Sequence, residues 1–192
     1  MKNTVYFTFY FLLFSASLFA QKKTQFISVE RTIKAPAAAV WKVVGEEFGD
    51  IHKSHPLVVS SSYTNDQHKG CEGAERVCNL NLDGSKYVKE TQVDYDPENY
   101  SFKVQITTTQ GIPLVPEYSY AIYKVVPLDA NTSKLVFEFN YRTKPAFMGG
   151  LAKGKFRKQL SNYMLAVEHY VTTGEEINAD NFDEIKKQYE TR

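Results

Sequence analysis

The sequence predicts an α+β fold in which a curved antiparallel sheet of about seven strands wraps around one long C-terminal helix. Two observations carry this prediction. Strand-like segments follow one another at intervals of roughly 8–12 residues and are joined by turns, which is typical of an antiparallel meander rather than of βαβ units. A long amphipathic helix comes last, and it is the only segment long enough to cover the apolar face of such a sheet.

Local patterns predict a first strand followed by short helices. Residues 24–34 alternate between apolar and polar side chains, as a half-buried strand does. Pro36 suits the first position of a helix, because its missing N–H would have no partner there in any case. The helix is expected to continue to Glu47, and a second short helical piece is expected over Ile51–His55, before Pro56.

Six further strands are predicted between these helices and the long C-terminal helix. Turn signals separate them, and Asp83-Gly84 is the strongest, because both positions tolerate positive φ. Asp96-Pro97-Glu98-Asn99 and residues 129–133 are two more. The strands are expected over residues 57–63, 74–82, 86–95, 100–106, 118–126 and 135–141.

The long helix is predicted over Phe147–Val171, with Gly174 as its stop signal. From Phe156 onward, its apolar residues recur at a spacing that places them within an arc of about 120°. Gly149 and Ala152 extend this stripe towards the start of the helix with almost no side-chain volume. We therefore expect an unfilled space between this end of the helix and the sheet.

Residues 1–20 are similar to a secretory signal peptide. Lys2 gives a positive start, Val5–Phe14 is nearly all apolar, and small residues precede a predicted cleavage site after Ala20. The alternative is a membrane anchor, but the apolar run is short for a span of about 20 residues. We expect an exported chain, periplasmic or secreted, that keeps no stable membrane span after cleavage.

The rest of the chain is predicted to form one domain over residues 21–173 and a polar C-terminal appendage over residues 174–192, with a short exposed helix in it. The chain has 192 residues, of which 43% are hydrophobic, enough for one core. Lys2 is the only charged residue among residues 1–20, so cleavage lowers the basic residues from 23 to 22, equal to the 22 acidic ones. Zero net charge argues against nucleic acid or an anionic membrane surface as the main partner.

The two cysteines, Cys71 and Cys78, raise the question of a disulfide in an exported protein. On a single strand they would lie about 23 Å apart at roughly 3.3 Å per residue, well beyond the limit of about 7 Å between bridged Cα atoms. Gly70 and Gly73 would permit a turn that brings them together, so the bridge stays open as an alternative. We expect free thiols.

Certain local patterns occur in a set order along the chain: Ala35-Pro36 with Val40-Trp41, then Phe48, Ile51 and Pro56, Gly73-x-x-Arg76, Asp83-Gly84 with Glu90, Tyr95-Asp96 and the Pro113 loop. In this order, up to about Thr173, the chain resembles the START-like superfamily, and within it the polyketide cyclase/dehydrase and lipid-transport group, the SRPBCC proteins. The resemblance implies a helix-grip fold around a deep cavity that usually holds a hydrophobic or amphipathic molecule. Two departures are His55, where relatives often carry Trp, and the expected export.

Arg76 and Glu90 are predicted on adjacent strands around the Asp83-Gly84 turn. With a two-residue loop, Arg76 faces Thr91 and Glu90 lies on the other face of the sheet. A three-residue loop or a bulge shifts the register by one and brings Glu90 diagonal to Arg76 on one face, and the sequence leaves this open. If Arg76 points into the cavity, it needs either a structural ion pair or a ligand carboxylate or phenolate as its partner.

His52 and His55 are predicted to share one helical face near the mouth of the cavity, as lining residues or as a general base. With Asp50 they supply too few ligands at a recognisable spacing, so no metal is expected. The remaining predicted contacts are aromatic residues, each of which also suits a plain core position, and the two small residues of the helix. They are Trp41, Phe48, Tyr63, Phe102, Tyr120, Phe137, Phe139, Gly149 and Ala152.

Three functions remain open. No G-x-S-x-G, H-E-x-x-H, Walker or G-x-G-x-x-G signature is present, and no cofactor is expected. The first hypothesis is an exported binding or carrier protein for a small hydrophobic or amphipathic molecule or a lipid. The second is a cyclase/dehydratase-like enzyme in which Arg76, Glu90 or a histidine moves protons on a bound aromatic or ketone substrate. The third is a protein-interaction domain with a filled core.

Overall fold

The structure is a computed structural model that describes residues 24–190. These residues form seven strands, namely β1 (Gln25–Ile33), β2 (Ser60–Tyr63), β3 (Glu75–Asn79), β4 (Tyr87–Asp96), β5 (Ser101–Gln110), β6 (Tyr120–Asp129) and β7 (Thr132–Tyr141). The α-helices are α1 (Ala37–Trp41), α2 (Met148–Thr173) and α3 (Phe182–Glu190). After α1 the chain makes a π-helical turn over Lys42–Glu46 and a 3₁₀ helix over Phe48–Ser54.

The seven strands form one antiparallel sheet in the order β1-β7-β6-β5-β4-β3-β2. Strands β2 to β7 follow one another across the sheet, and β1 closes the far edge by pairing with β7. Alternate residues of β1, β5, β6 and β7 are buried beneath α1 and α2 and form the core. The predicted sheet that wraps around a C-terminal helix, the helix-grip fold, is confirmed.

Helix α2 ends where the sequence predicts. Gly174 adopts a left-handed conformation with φ of 75°, and its N–H donates to the carbonyl of Tyr170 at 2.8 Å. Only a residue without Cβ adopts this conformation at little cost, so glycine stops the helix here. The buried side chains of α2 concentrate in its second half, at Tyr163, Met164, Leu165, Ala166, Val167 and His169.

The unfilled space predicted at the start of α2 is found beside Ala152, which lines a groove, but not beside Gly149. The hydroxyl of Tyr141 donates to the carbonyl of Gly149 at 2.8 Å. A Cβ atom on Gly149 would lie only 3.1 Å from Gln25 Cγ and 3.2 Å from Thr143 Oγ1. The glycine therefore lets the start of the helix approach the sheet closely, and the cavity lies further along α2.

Residues 174–190 are not an appendage. The predicted short helix forms as α3, but Ile177, Phe182 and Ile185 are buried against Leu165 and Ala166 of α2. The backbone N–H of Ile177 also donates to the carbonyl of Lys53 at 2.9 Å. The segment is mostly polar in sequence, yet its few apolar residues converge on one face.

Several predictions concern processing and covalent state. Residues 1–20 lie outside the described residues, so the signal peptide stays a prediction. Cys71 and Cys78 are free, the former partly exposed and the latter buried. None of the helices within residues 24–190 is both long and apolar enough to cross a membrane.

Candidate ligand-binding site

A cavity of about 160 Å³ lies between the inner face of the sheet and the second half of α2. Most of its lining is aliphatic and aromatic, and a few polar side chains reach it from the sheet and from the 3₁₀ helix. The lining residues are Ile51, His55, Val58, Arg76, Cys78, Glu90, Val104, Ile106, Leu114, Ala121, Tyr123, Phe137, Phe139, Leu160 and Tyr163.

A wider groove of about 670 Å³ opens the cavity to the surface. Cavity and groove share His55, Val58, Phe139 and Leu160 in their walls, so they form one continuous site. The outer wall comes from the first half of α2 and from the loops at one end of the sheet. It consists of Leu57, Leu80, Lys86, Ile112, Pro113, Met148, Leu151, Ala152, Lys155, Phe156 and Gln159.

The register of β3 and β4 brings Arg76 and Glu90 together. Arg76 pairs directly with Glu90, so both side chains lie on the inner face of the sheet. The two-residue loop is wrong, because the strands end at Asn79 and Tyr87 and the Leu80 N–H already donates to the Lys86 carbonyl at 2.8 Å. The longer connection shifts the register by one residue and puts both side chains on one face, as the alternative predicts, but the two residues are directly opposite rather than diagonal.

Arg76 is held on three sides. Its Nε and Nη2 each lie 2.7 Å from Glu90 Oε2, and its Nη1 donates to the carbonyl of Phe48 at 2.7 Å. The guanidinium carbon sits 3.9 Å from the centre of the Phe48 ring. Burial is the largest influence and opposes the charged form, but the Glu90 carboxylate, together with smaller contributions from Cys78, Tyr123 and Tyr163, keeps the pKa of Arg76 above its ordinary value. Arg76 and Glu90 therefore form a structural ion pair at the inner end of the cavity.

Three further side chains, each with one S–H or O–H group, line the inner end of the cavity. The Cys78 thiol lies 3.8 Å from Glu90 Oε2, and the hydroxyl of Tyr123 lies 3.4 Å from that of Tyr163. Burial raises the pKa of Cys78 and of Tyr163 to about 12, and raises the pKa of Tyr123 well above its ordinary value. All three groups are protonated at neutral pH and bring no negative charge. The Cys78 thiol donates to Glu90 and the Tyr123 hydroxyl donates to Tyr163, so the hydroxyl proton of Tyr163 is the one these bonds leave for a ligand.

His55 lies where cavity and groove meet. Its ring stacks on that of Tyr163, with centroids 4.6 Å apart, and its Nδ1 accepts the backbone N–H of Leu57 at 3.1 Å. This bond leaves the proton of the neutral imidazole on Nε2. Burial, and then the charge of Arg76, lower the pKa of His55 to about 3, so the ring is uncharged at neutral pH.

Six of the thirteen predicted contact residues line the site. His55, Arg76, Glu90, Phe137 and Phe139 line the cavity, and Ala152 lines the groove. Gly149 packs against the sheet, as described above. Trp41, Phe48 and Phe102 are core residues instead. Trp41 packs on Tyr95, Tyr100 and Phe102, while Phe48 lies edge-on to Phe102.

Tyr120 is on the wrong face of the sheet for a ligand contact. It points outward, where the ammonium of Lys103 lies 4.7 Å from its ring centre. Its neighbours Ala121 and Tyr123 face the cavity, paired with Phe139 and Phe137. Strand β6 carries apolar residues on both faces, so the alternation of its sequence does not show which set is buried.

His52 and Tyr63 have structural roles outside the cavity. His52 Nδ1 lies 2.8 Å from Ser61 Oγ, which ties the 3₁₀ helix to β2. The hydroxyl of Tyr63 donates to the carbonyl of Glu46 at 3.3 Å. Within residues 24–190 no three histidine, cysteine, aspartate or glutamate side chains are grouped to bind a metal ion.

The family profile described as polyketide cyclase / dehydrase and lipid transport matches residues 24–168, well over half of the chain. The chain belongs to this family. Its membership, together with the sheet and the long helix, confirms the resemblance to the START-like superfamily and the SRPBCC group. No curated protein matches the sequence significantly.

Solved structures share the fold of this SRPBCC domain at low identity. The Zhui aromatase/cyclase from Streptomyces sp. R1128 is 14% identical with a TM-score of 0.64, covering 78% of this chain and 94% of that one. Norcoclaurine synthase from Thalictrum flavum, solved with dopamine and hydroxybenzaldehyde, is 19% identical with a TM-score of 0.58, covering 78% and 87%. A protein from Thermobifida fusca is 24% identical with a TM-score of 0.60, covering 80% and 96%. At these identities the likeness shows the fold alone.

Proposed function

We propose that this SRPBCC domain binds a small hydrophobic or amphipathic molecule in the cavity and groove. The observation that carries the proposal is the continuous apolar site with a polar inner end. The cavity of about 160 Å³ is close to the engineered cavity of about 150 Å³ that takes up benzene. The groove adds about 670 Å³, which brings the whole site into the range of about 300–1,000 Å³ found for small-molecule pockets.

The inner end favours a neutral acceptor on the ligand. Glu90 already neutralises Arg76, so a ligand carboxylate placed there would meet the Glu90 charge as well. The Tyr123 hydroxyl donates to that of Tyr163, whose own proton can be donated to a ligand in an apolar surrounding. A carbonyl or phenol oxygen at the buried end of a ring-sized group fits this chemistry, with a larger apolar part in the groove.

The same proposal places the protein outside the cytoplasm. Its support is the signal-like sequence of residues 1–20, with cleavage after Ala20. In the periplasm or outside the cell, a binding protein would keep a poorly soluble molecule in solution or carry it between sites. A lipid is one class of ligand that the apolar groove would accept.

A second candidate function is a cyclase/dehydratase-like reaction on the bound molecule. The observation that favours it is the neutral ring of His55 at the wall of the cavity, stacked on the ring of Tyr163. Because Nδ1 of His55 already accepts the Leu57 N–H, its Nε2–H and the Tyr163 hydroxyl are the two groups able to donate to the oxygen of a bound ketone and to stabilise negative charge that develops there. A carrier function needs neither group to act in this way.

The binding proposal is tested with a neutral fluorescent probe, N-phenyl-1-naphthylamine, titrated into the purified protein. Ala152→Trp places an indole in the groove, and Ala130→Trp adds the same group at the exposed turn between β6 and β7. We expect Ala152→Trp to weaken binding by at least about tenfold and Ala130→Trp to leave it unchanged. Equal affinity of both variants, or no binding by the unaltered protein, would contradict the proposal.

Native mass spectrometry and organic extraction of the protein from its own source separate the two functions. The extracted molecule is incubated with the unaltered protein and with the variant His55→Asn, and its mass and structure are followed over time. Conversion by the unaltered protein that the variant lacks would establish the enzyme. An unchanged molecule that rebinds to both proteins supports the carrier.

A further inference from the structure

Large exposed apolar side chains surround the opening of the groove. Leu57, Met148 and Leu151 line the groove and are 43%, 39% and 75% exposed. Phe147, directly before α2, is 70% exposed, and Leu82, in the turn between β3 and β4, is 95% exposed. We call these five residues the mouth rim. Single exposed apolar residues are ordinary, but a group of them around one opening is typical of a docking surface.

The mouth rim lies at one end of the sheet. Leu57 precedes the start of β2, and Leu82 follows the end of β3. Phe147 precedes α2, after the end of β7. Because the sheet is antiparallel, one of its ends contains the starts of β2, β4 and β6 together with the ends of β3, β5 and β7. The rim residues therefore come from separate segments that meet on the same side of the molecule.

Basic side chains accompany the mouth rim. Residues 142–167 hold six basic residues and no acidic one: Arg142, Lys144, Lys153, Lys155, Arg157 and Lys158. Lys155 lines the groove, and Lys158 is exposed on the same side of α2, because residues 151, 155 and 158 have helical spacing. Lys86 lines the groove from the turn between β3 and β4, where Asp83 supplies a negative charge. Without residues 1–20 the chain has zero net charge, but its basic residues are in local excess at the opening.

We propose that the mouth rim docks onto a lipid bilayer that contains anionic lipids, with the opening of the groove turned towards the membrane. The exposed apolar side chains enter the region below the headgroups, while Lys86, Lys155 and Lys158 meet the phosphates. The proposal goes beyond ligand binding in the cavity, because it concerns the outer surface. It differs from the expectation drawn from net charge alone, because that expectation does not consider how the charges are distributed.

The test is sedimentation with vesicles. The protein without residues 1–20, which retains every element of the described fold, is mixed with vesicles of phosphatidylcholine alone or of phosphatidylcholine with phosphatidylglycerol. We expect binding to the mixed vesicles, weaker binding to phosphatidylcholine alone, and release by added salt. Absence of binding to the mixed vesicles would overturn the proposal, including the case in which the rim instead captures a protein.

Paired variants locate the surface. Phe147→Ser with Leu151→Ser should weaken vesicle binding by at least about tenfold, whereas Leu128→Ser, 52% exposed at the opposite end of the sheet, should not. Lys155→Glu with Lys158→Glu should remove the preference for phosphatidylglycerol, and Lys34→Glu, exposed after the end of β1, should retain it. If a mouth-rim variant and its control lose vesicle binding to the same extent, the mouth rim is not the membrane-docking surface. Probe binding by the unaltered protein reports separately on the cavity and groove, because Leu151 and Lys155 also line the groove.

Discussion

The two halves of α2 are built differently. Between Met148 and Lys158, Gly149 is the one buried residue, and Leu151 is 75% exposed. Between Gln159 and Thr173, five consecutive residues from Tyr163 to Val167 are buried. The same helix therefore covers the groove with one half and anchors itself in the core with the other.

The anchored half is held from two sides. Tyr163, Met164 and Val167 belong to the core between helix and sheet, while Leu165 and Ala166 pack against α3 and the segment before it. The covering half has fewer attachments, chiefly the hydrogen bond from Tyr141 to Gly149 and the edge-on contact of Phe156 with Tyr141 at 4.9 Å. Local stability follows buried contact, so the wall of the groove is the less stable part of the helix.

The largest expected effect tests the anchored half of α2. Phe182→Ala removes an aromatic ring buried against the second half of α2, and large-to-small changes of this kind cost about 3–5 kcal/mol. The matched variant Phe147→Ala removes an exposed ring at the covering half and should change stability by less than about 0.5 kcal/mol. Urea unfolding measures both free energies. Similar losses in the two variants would abolish the distinction between the halves.

The next effect concerns His55, which stacks on Tyr163 where the two halves of α2 meet. Its pKa of about 3 in the folded protein lies below the ordinary value of 6.5. Between these values the unfolded chain binds more protons, so the contribution of His55 is complete above about pH 6.5 and is lost as the pH falls towards 3. This loss of stability is at most about 1.4 kcal/mol per pH unit, and it is smaller because His55 is partly exposed to solvent.

The measurement is the free energy of unfolding at neutral pH and at mildly acidic pH, for the unaltered protein and for His55→Gln. Carboxylates also titrate in acid, but they do so in both proteins. We expect the unaltered protein to lose stability more steeply than the variant as the pH falls below about 6.5. Parallel losses would show that protonation of His55 does not contribute.

Much of the fold follows from the sequence because its signals are local. The alternation of apolar and polar residues, together with the turn residues, locates the strands. The apolar stripe that precedes Gly174 locates α2. The docking of α3 does not follow, because Ile177, Phe182 and Ile185 come together only after the chain has turned back on α2. Long-range packing, rather than local propensity, decides that this polar segment is part of the domain.

The site was predictable only where one face of a strand is clearly apolar. Phe137 and Phe139 are found in this way. Whether Arg76 and Glu90 share a face depends on how the intervening turn closes. Asn81 accepts the Lys86 N–H and donates to Ser85 Oγ, and these bonds set the length of the turn. Side-chain bonds inside a turn are not visible in a hydrophobic pattern.

The smallest expected effect is a difference in stability between alanine substitutions at two glycines of the covering half. Gly154 lies inside α2, and a Cβ atom there would meet nothing within 4 Å. Gly154→Ala should therefore raise the free energy of unfolding by about 0.5–1 kcal/mol, because alanine loses less backbone entropy in a helix. Thermal unfolding of the variant beside the unaltered protein measures this gain.

Gly149→Ala is the matched case, and it should not show the gain. The added methyl would lie 3.2 Å from Thr143 Oγ1, and that hydroxyl is held by its bond to the carbonyl of Pro145 at 2.8 Å. Since Thr143 is buried, it cannot move away without losing this bond, which offsets the benefit of alanine. Equal stabilisation by both substitutions would mean that the start of α2 is as loosely packed as its solvent face, and that the hydrogen bond from Tyr141 does not hold the helix against the sheet.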